Sequence, residues 1–99
     1  MTNLTYINDE QFINDAAKLF IKTHLNSAKS LELDMFDTCG DLFTELCEVV
    51  RRGRVTDEEF EAMDGHDRLD ANFRAFELVQ VTRQHAISKW DATKLILGL

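Results

Sequence analysis

Residues 31–50, LELDMFDTCGDLFTELCEVV, begin with a strand-like alternation at Leu31, Leu33 and Met35 and then abandon it. From Leu31 the apolar positions Met35, Cys39, Leu42, Leu46 and Val49 step by four, four, three, four and three residues. That is the spacing of one helix face, whereas a strand face repeats every second residue. Phe36, Phe43, Cys47 and Val50 widen the same stripe. Residues 30–36 are therefore open to strand or helix, and the helix is firm from Asp37 or Thr38. Gly40 lies within it at a cost of about 1 kcal/mol relative to alanine. It marks either a close helix crossing or the true start after a short extended piece. Gly53 is the expected stop, preceded by Arg51 and Arg52, whose charge suits the negative end of the helix dipole.

Upstream, Asn8 or Asp9 supplies an N-cap, and Asp9 and Glu10 suit the positive end of the helix dipole. Phe12, Ile13, Ala16, Ala17, Leu19 and Phe20 then share one stripe, giving a first helix to about His24 with a break at Asn26 and Ser27. Downstream, Thr56-Asp57-Glu58-Glu59 is a capping box, and Val55 and Phe60 occupy the two positions of a hydrophobic staple. A short helix is expected there, with Phe60 and Met63 inward, stopped by Gly65 in a left-handed conformation. His66-Asp67 offers the next cap. A fourth helix follows to about His85, burying Leu69, Phe73, Phe76 and Val79 or Gln80, with Ile87 and Trp90 on the same line. Ser88 either ends it or caps a last helix through Leu97.

The expectation is an all-α, single compact domain of four to five helices. The 99 residues include no proline and only four glycines, where average usage would supply about five prolines. This length suits one domain, large enough for a core without a metal or disulfide staple. No stretch approaches the ~18 consecutive apolar residues of a membrane span, and the N-terminus lacks a basic start followed by an apolar run. The reading is a cytoplasmic protein.

The formal charge of −7 is uneven. Residues 1–50 hold nine acids against Lys18, Lys22 and Lys29, and residues 57–70 hold seven acids against Arg68. Between them lies the cluster Arg51, Arg52 and Arg54. Such a chain presents an unfavourable field to a polyanion and a favourable one to a basic surface.

Chemistry-bearing motifs are sparse. Cys39 and Cys47 lie eight residues apart, about 12 Å along one helix, too far for a disulfide and without partners for a zinc site. They read as core residues. Residues 53–59 look like the second half of an EF-hand loop, but the ligand positions upstream fall on Val50 and Arg52, which removes calcium. Glycine-rich phosphate loops, a GxSxG elbow and an HExxH pair are absent from the sequence. No cofactor and no metal is expected.

The function expected from these features is that of a non-catalytic protein-binding regulator or inhibitor working through acidic helical faces. Its concrete form is a small phage or bacterial inhibitor that occludes a nucleic-acid-binding surface of a larger protein. The partner-binding residues expected are Asp37, Asp41, Glu45 and Glu48 on the polar side of the second helix, with Asp9 and Glu10 opening the first. The partner is a larger protein with a basic surface; no membrane is involved, and a homodimer is compatible with the size. The alternative is direct nucleic-acid binding through Arg51, Arg52 and Arg54, opposed by Glu58, Glu59, Glu61, Asp67 and Asp70 nearby. A small enzyme or metal protein ranks third.

Overall fold

The computed structural model describes residues 4–27 and 32–98. Five helices and no strand occur among them: α1 Asp9–Asn26, α2 Met35–Thr38, α3 Gly40–Arg54, α4 Asp57–Ala62 and α5 Gly65–Leu97. The chain is an all-α domain. None of these helices is long and apolar enough to cross a membrane.

In α1, the Asn8 side chain accepts a hydrogen bond from the Gln11 N–H at 2.9 Å, supplying one acceptor for the first-turn donors. The expected stripe is the buried face: Phe12, Ala16, Ala17 and Phe20 are inaccessible, and Ile13 and Leu19 are half-buried. The helix runs two residues past His24, and Ser27 caps it.

The expected single second helix is two. Of the stretch 30–36 that spacing leaves open, Ser30 and Leu31 lie outside the described residues. Asp34 caps α2 through the Asp37 N–H at 3.0 Å, and the chain leaves helical geometry at Cys39. Cys39 serves both helices, donating its N–H to the Met35 carbonyl at 3.0 Å and accepting from the Phe43 N–H at 2.9 Å. Its buried thiol donates to the Phe20 carbonyl at 3.4 Å, which ties the bend to α1. Glycine is a weak helix former, so a break costs least beside Gly40. Gly40 begins α3, and a Cβ there would meet nothing within 4 Å, so it marks no close crossing.

Gly53 does not stop α3, which continues to Arg54 with Val55 as its cap. Its missing side chain makes room for Tyr6: a Cβ would lie 2.7 Å from both Cβ and Cδ1 of that residue. Gly53→Ala is therefore expected to destabilise the fold. Helix propensity alone favours alanine by about 1 kcal/mol. The substitution displaces Tyr6, however, and with it the phenol that donates to Asp9 and accepts from Arg54 Nε at 3.2 Å. Overpacking of this kind costs about 1–3 kcal/mol. A lower urea midpoint is the expected result, and a raised one would show that Tyr6 moves aside freely.

The capping box of α4 forms as expected, with Glu59 N–H donating to Thr56 Oγ1 at 3.1 Å and Thr56 N–H to Glu59 Oε1 at 3.3 Å. Phe60 and Met63 are only half-buried. The Phe60 ring lies between two guanidiniums, with Arg51 at 4.4 Å and Arg68 at 5.7 Å from its centroid. Arg68 also donates to the Phe60 and Glu61 carbonyls at 3.0 and 2.6 Å, which satisfies the end of this short helix.

The expected fourth and fifth helices are one. Asp64, not His66 or Asp67, is the cap, accepting from the Asp67 N–H at 2.8 Å, and Gly65 is the first helical residue rather than a left-handed stop. Ser88 makes no break. The left-handed residue is Gly98, at φ 74°. At 1.5 Å per residue the 33 residues of α5 span about 50 Å, which accounts for the 52 Å long axis of the molecule. Both α1 and α3 pack along α5, with α1 making the more extensive contact.

The buried row of α5 is Ala75, Val79, Thr82 and Ala86. Leu69, Phe73 and Phe76, expected in the core, are exposed. Small residues let a neighbouring backbone approach closely, and the alanines of this row match the buried Ala16 and Ala17 of α1. The bulky row lies on another side of α5, where Leu69 and Phe73 are left largely uncovered and Phe76 meets α3 edge-on through Phe43. At the α2 end, the Arg83 guanidinium lies 4.0 Å from the centroid of Phe36 and 4.1 Å from that of Phe43, a double cation–π contact joining α2, α3 and α5.

Candidate functional site: an apolar groove beside an acidic helix face

The exposed row of α5 forms the floor of an open groove of about 820 Å³ lined by α3, α4 and α5. Leu69 is 69% and Phe73 58% exposed, and they step by four residues on the same side of the helix as Phe76. Phe76 is anchored, its ring lying edge-on to the buried Phe43 at 5.3 Å. Phe60 contributes to the lining from α4, and Thr44, Cys47, Glu48 and Arg51 form the α3 wall. Large apolar side chains left in water on a rigid helix are the usual mark of an interaction surface.

The same wall carries part of the expected acidic row. Asp41 and Glu48 lie seven residues apart, which places them within about 20° on the helix and about 10 Å along it. Both are exposed, as is Asp37 on α2. Among the described residues none of these three carboxylates has a cation within ion-pair distance. Glu45 is half-buried on the adjacent side of α3. The break at Cys39 sets Asp37 on its own short helix, so the row of four is divided between α2 and α3.

Asp9 and Glu10 do not join this row. Asp9 meets the opposite end of α3, where Arg54 Nη2 donates to its Oδ1 at 2.7 Å and the Tyr6 phenol donates to the same oxygen. These bonds, the phenol's first, hold the Asp9 carboxyl below its ordinary pKa. Asp9 thus serves the fold, and Glu10 is exposed in the first turn of α1.

The arginine cluster is likewise engaged within the chain. Arg51 donates to Asp57 Oδ1 at 2.9 Å and to the Val55 carbonyl at 3.3 Å while covering Phe60. Arg52 approaches the same carboxylate at 3.8 Å. Arg54 is held by Asp9 and Tyr6 and reaches the Arg74 carbonyl at 3.4 Å. Only Arg52 of the three has more than half of its side chain in solvent.

Cys47 lines the groove, but burial pushes its thiol up to about 11, so it is protonated and a poor nucleophile at neutral pH. Cys39 is raised in the same direction by burial inside the core. Among the described residues no three His, Cys, Asp or Glu side chains gather where they could hold a metal ion.

Sequence reasoning found the acidic side of α3 and missed the groove floor. A signal was present: α5 carries a small row, Ala75-Val79-Thr82-Ala86, beside a bulky row, Leu69-Phe73-Phe76, and one helix face cannot hold both. Comparison of the chain with protein-family models, with curated proteins and with solved structures finds no match.

Proposed function

We propose that the chain is a non-catalytic protein-binding regulator that seats an apolar segment of a larger partner in the α3–α4–α5 groove and holds its basic flanks against α3. The observation that carries this reading is the exposed pair Leu69 and Phe73 beside the uncompensated carboxylates of Asp41 and Glu48. Apolar anchors in a groove supply affinity, and complementary charge at the rim supplies encounter rate and selectivity. An amphipathic helix with apolar residues at three- and four-residue steps and lysines or arginines beside them has this chemistry. The narrowest form of the reading is an inhibitor of phage or bacterial type whose acidic face covers the nucleic-acid-binding surface of its partner. The internal pairing of Arg51 and Arg54 weighs against direct nucleic-acid binding by the chain itself.

The test is fluorescence anisotropy with a labelled amphipathic peptide carrying leucines on one face and lysines at its edges. Binding is expected, weakening as salt rises from about 50 to 200 mM, a range over which charge contacts reveal themselves. Reversing Asp37, Asp41, Glu45 and Glu48 to lysine is expected to weaken it at least tenfold while the helical circular-dichroism spectrum persists. Binding indifferent to both salt and reversal would overturn the acidic part of the proposal. Micromolar binding of duplex DNA, lost when Arg51, Arg52 and Arg54 become alanine, would replace it.

A further inference from the structure

The acids of α3 border one side of the groove, and α5 supplies acids of its own on the other. From Phe73, Leu69 and Phe76 lie about 40° and 60° round α5 in one direction, and Glu77 and Asp70 lie about 40° and 60° in the opposite one. Phe76 turns toward α3, where its ring meets Phe43 at 5.3 Å. Asp70 and Glu77 therefore lie on the side of Phe73 away from α3. Asp70 lines the groove from α5 as Glu48 does from α3. Both α5 acids are exposed, and both border a second depression that shares Phe73 with the groove.

The charge of this second rim is available to a partner. Among the described residues Glu77 has no cation within ion-pair distance. Asp70 has Arg74, whose Nε lies 3.1 Å away, but both side chains are more than half in solvent, and an exposed pair of this kind holds its members weakly. The two rims also match in length. Asp70 and Glu77, like Asp41 and Glu48, are seven residues apart, about 10 Å along a helix. A helix seated over Phe73 presents only one of its edges to α3, and its other edge lies on the α5 side.

We infer that the groove selects a partner helix with lysines or arginines on both edges of a narrow apolar stripe, one edge meeting Asp41 and Glu48 and the other meeting Asp70 and Glu77. A helix basic on one edge alone leaves one acidic rim unmatched. Turning it end for end only exchanges its edges, so the other rim is then left over. Rim charges of this kind govern which partner is chosen, while the apolar anchors supply most of the affinity. The inference rests on the groove being a docking surface and adds what that surface selects.

Two labelled peptides of identical composition test it by fluorescence anisotropy. One divides its lysines between the two edges of a leucine stripe, and the other carries all of them on one edge. At low salt the wild-type chain is expected to prefer the two-edged peptide about fivefold, the scale of a few exposed charge pairs. Asp70→Asn with Glu77→Gln is expected to remove that preference, weakening the two-edged peptide about fivefold and the one-edged peptide by less than about twofold, because the α3 rim still serves it. Asp41→Asn with Glu48→Gln is expected to have the same effect from the other side. All four positions are exposed, and circular dichroism checks that both variants remain helical. Equal binding of the two peptides by the wild-type chain, or tighter binding of the one-edged peptide, would overturn the inference and leave the docking groove standing. A two-edged preference that survives neutralisation of Asp70 and Glu77 would also overturn it. Binding of neither peptide would remove the docking groove and the inference together.

Discussion

Phe20→Ala is expected to lower stability by about 3–5 kcal/mol, enough to leave the domain largely unfolded in mild urea. Phe20 has no accessible surface and belongs to the cluster of Phe12, Leu46, Val50 and Val79 that joins α1, α3 and α5. Its carbonyl also receives the Cys39 thiol, so the ring sits where α1 is tied to the bend between α2 and α3. Removing it leaves a cavity at that junction, and the rigid helices around it close in only partly. A domain of this size has about 5–15 kcal/mol to lose. Phe60→Ala is the matched control, since that ring is half-buried and flanked by guanidiniums, and its loss is expected to cost less than half as much. Urea melts of both variants decide the matter. Equal midpoints would mean that the α1 face is not the core.

The legible parts of the fold are those settled within a few residues along the chain. Asn8 and Thr56 cap helices because their side chains reach backbone N–H groups three residues ahead, and the Phe12 to Phe20 stripe of α1 has only one apolar side to bury. What depends on distant packing was hidden. Gly53 reads as a helix stop by propensity, yet Tyr6, 47 positions earlier, uses the space that its missing side chain leaves. Spacing on α5 reveals apolar rows without revealing which row another helix covers. Closest approach selected the alanines, against the usual rule that larger apolar residues are buried.

The candidate site divides along the same line. Asp41 and Glu48 were legible because they lie opposite the Leu46 and Val50 face of a single helix. Asp9 looked equivalent, but Arg54, 45 residues away, consumes its charge. The groove floor reads as core because a large apolar residue at helical spacing is usually core, and the packed structure leaves Leu69 and Phe73 in solvent with Phe76 held only at its edge by Phe43.

The double variant Leu69→Asp with Phe73→Asp is expected to weaken binding of the basic amphipathic peptide about a hundredfold, or about 2.7 kcal/mol, while leaving the melting temperature nearly unchanged. The two halves of this expectation come from one fact. Side chains 69% and 58% exposed in the free protein contribute little burial to folding, so their loss costs the fold little. Seated against a partner they become the buried anchors of the contact, and truncating one anchor typically costs about 2 kcal/mol or more. The aspartates sharpen the test, since they add charge of the sign that attracts the peptide. Association driven by charge alone would therefore tighten, and only the loss of apolar contact can weaken it. Phe76→Ala provides the contrast: its ring packs edge-on against the buried Phe43, so it is expected to lose stability as well as affinity. Unchanged or tighter binding by the double variant would remove the groove from the contact. A large drop in its melting temperature would return Leu69 and Phe73 to the core, where spacing alone had placed them.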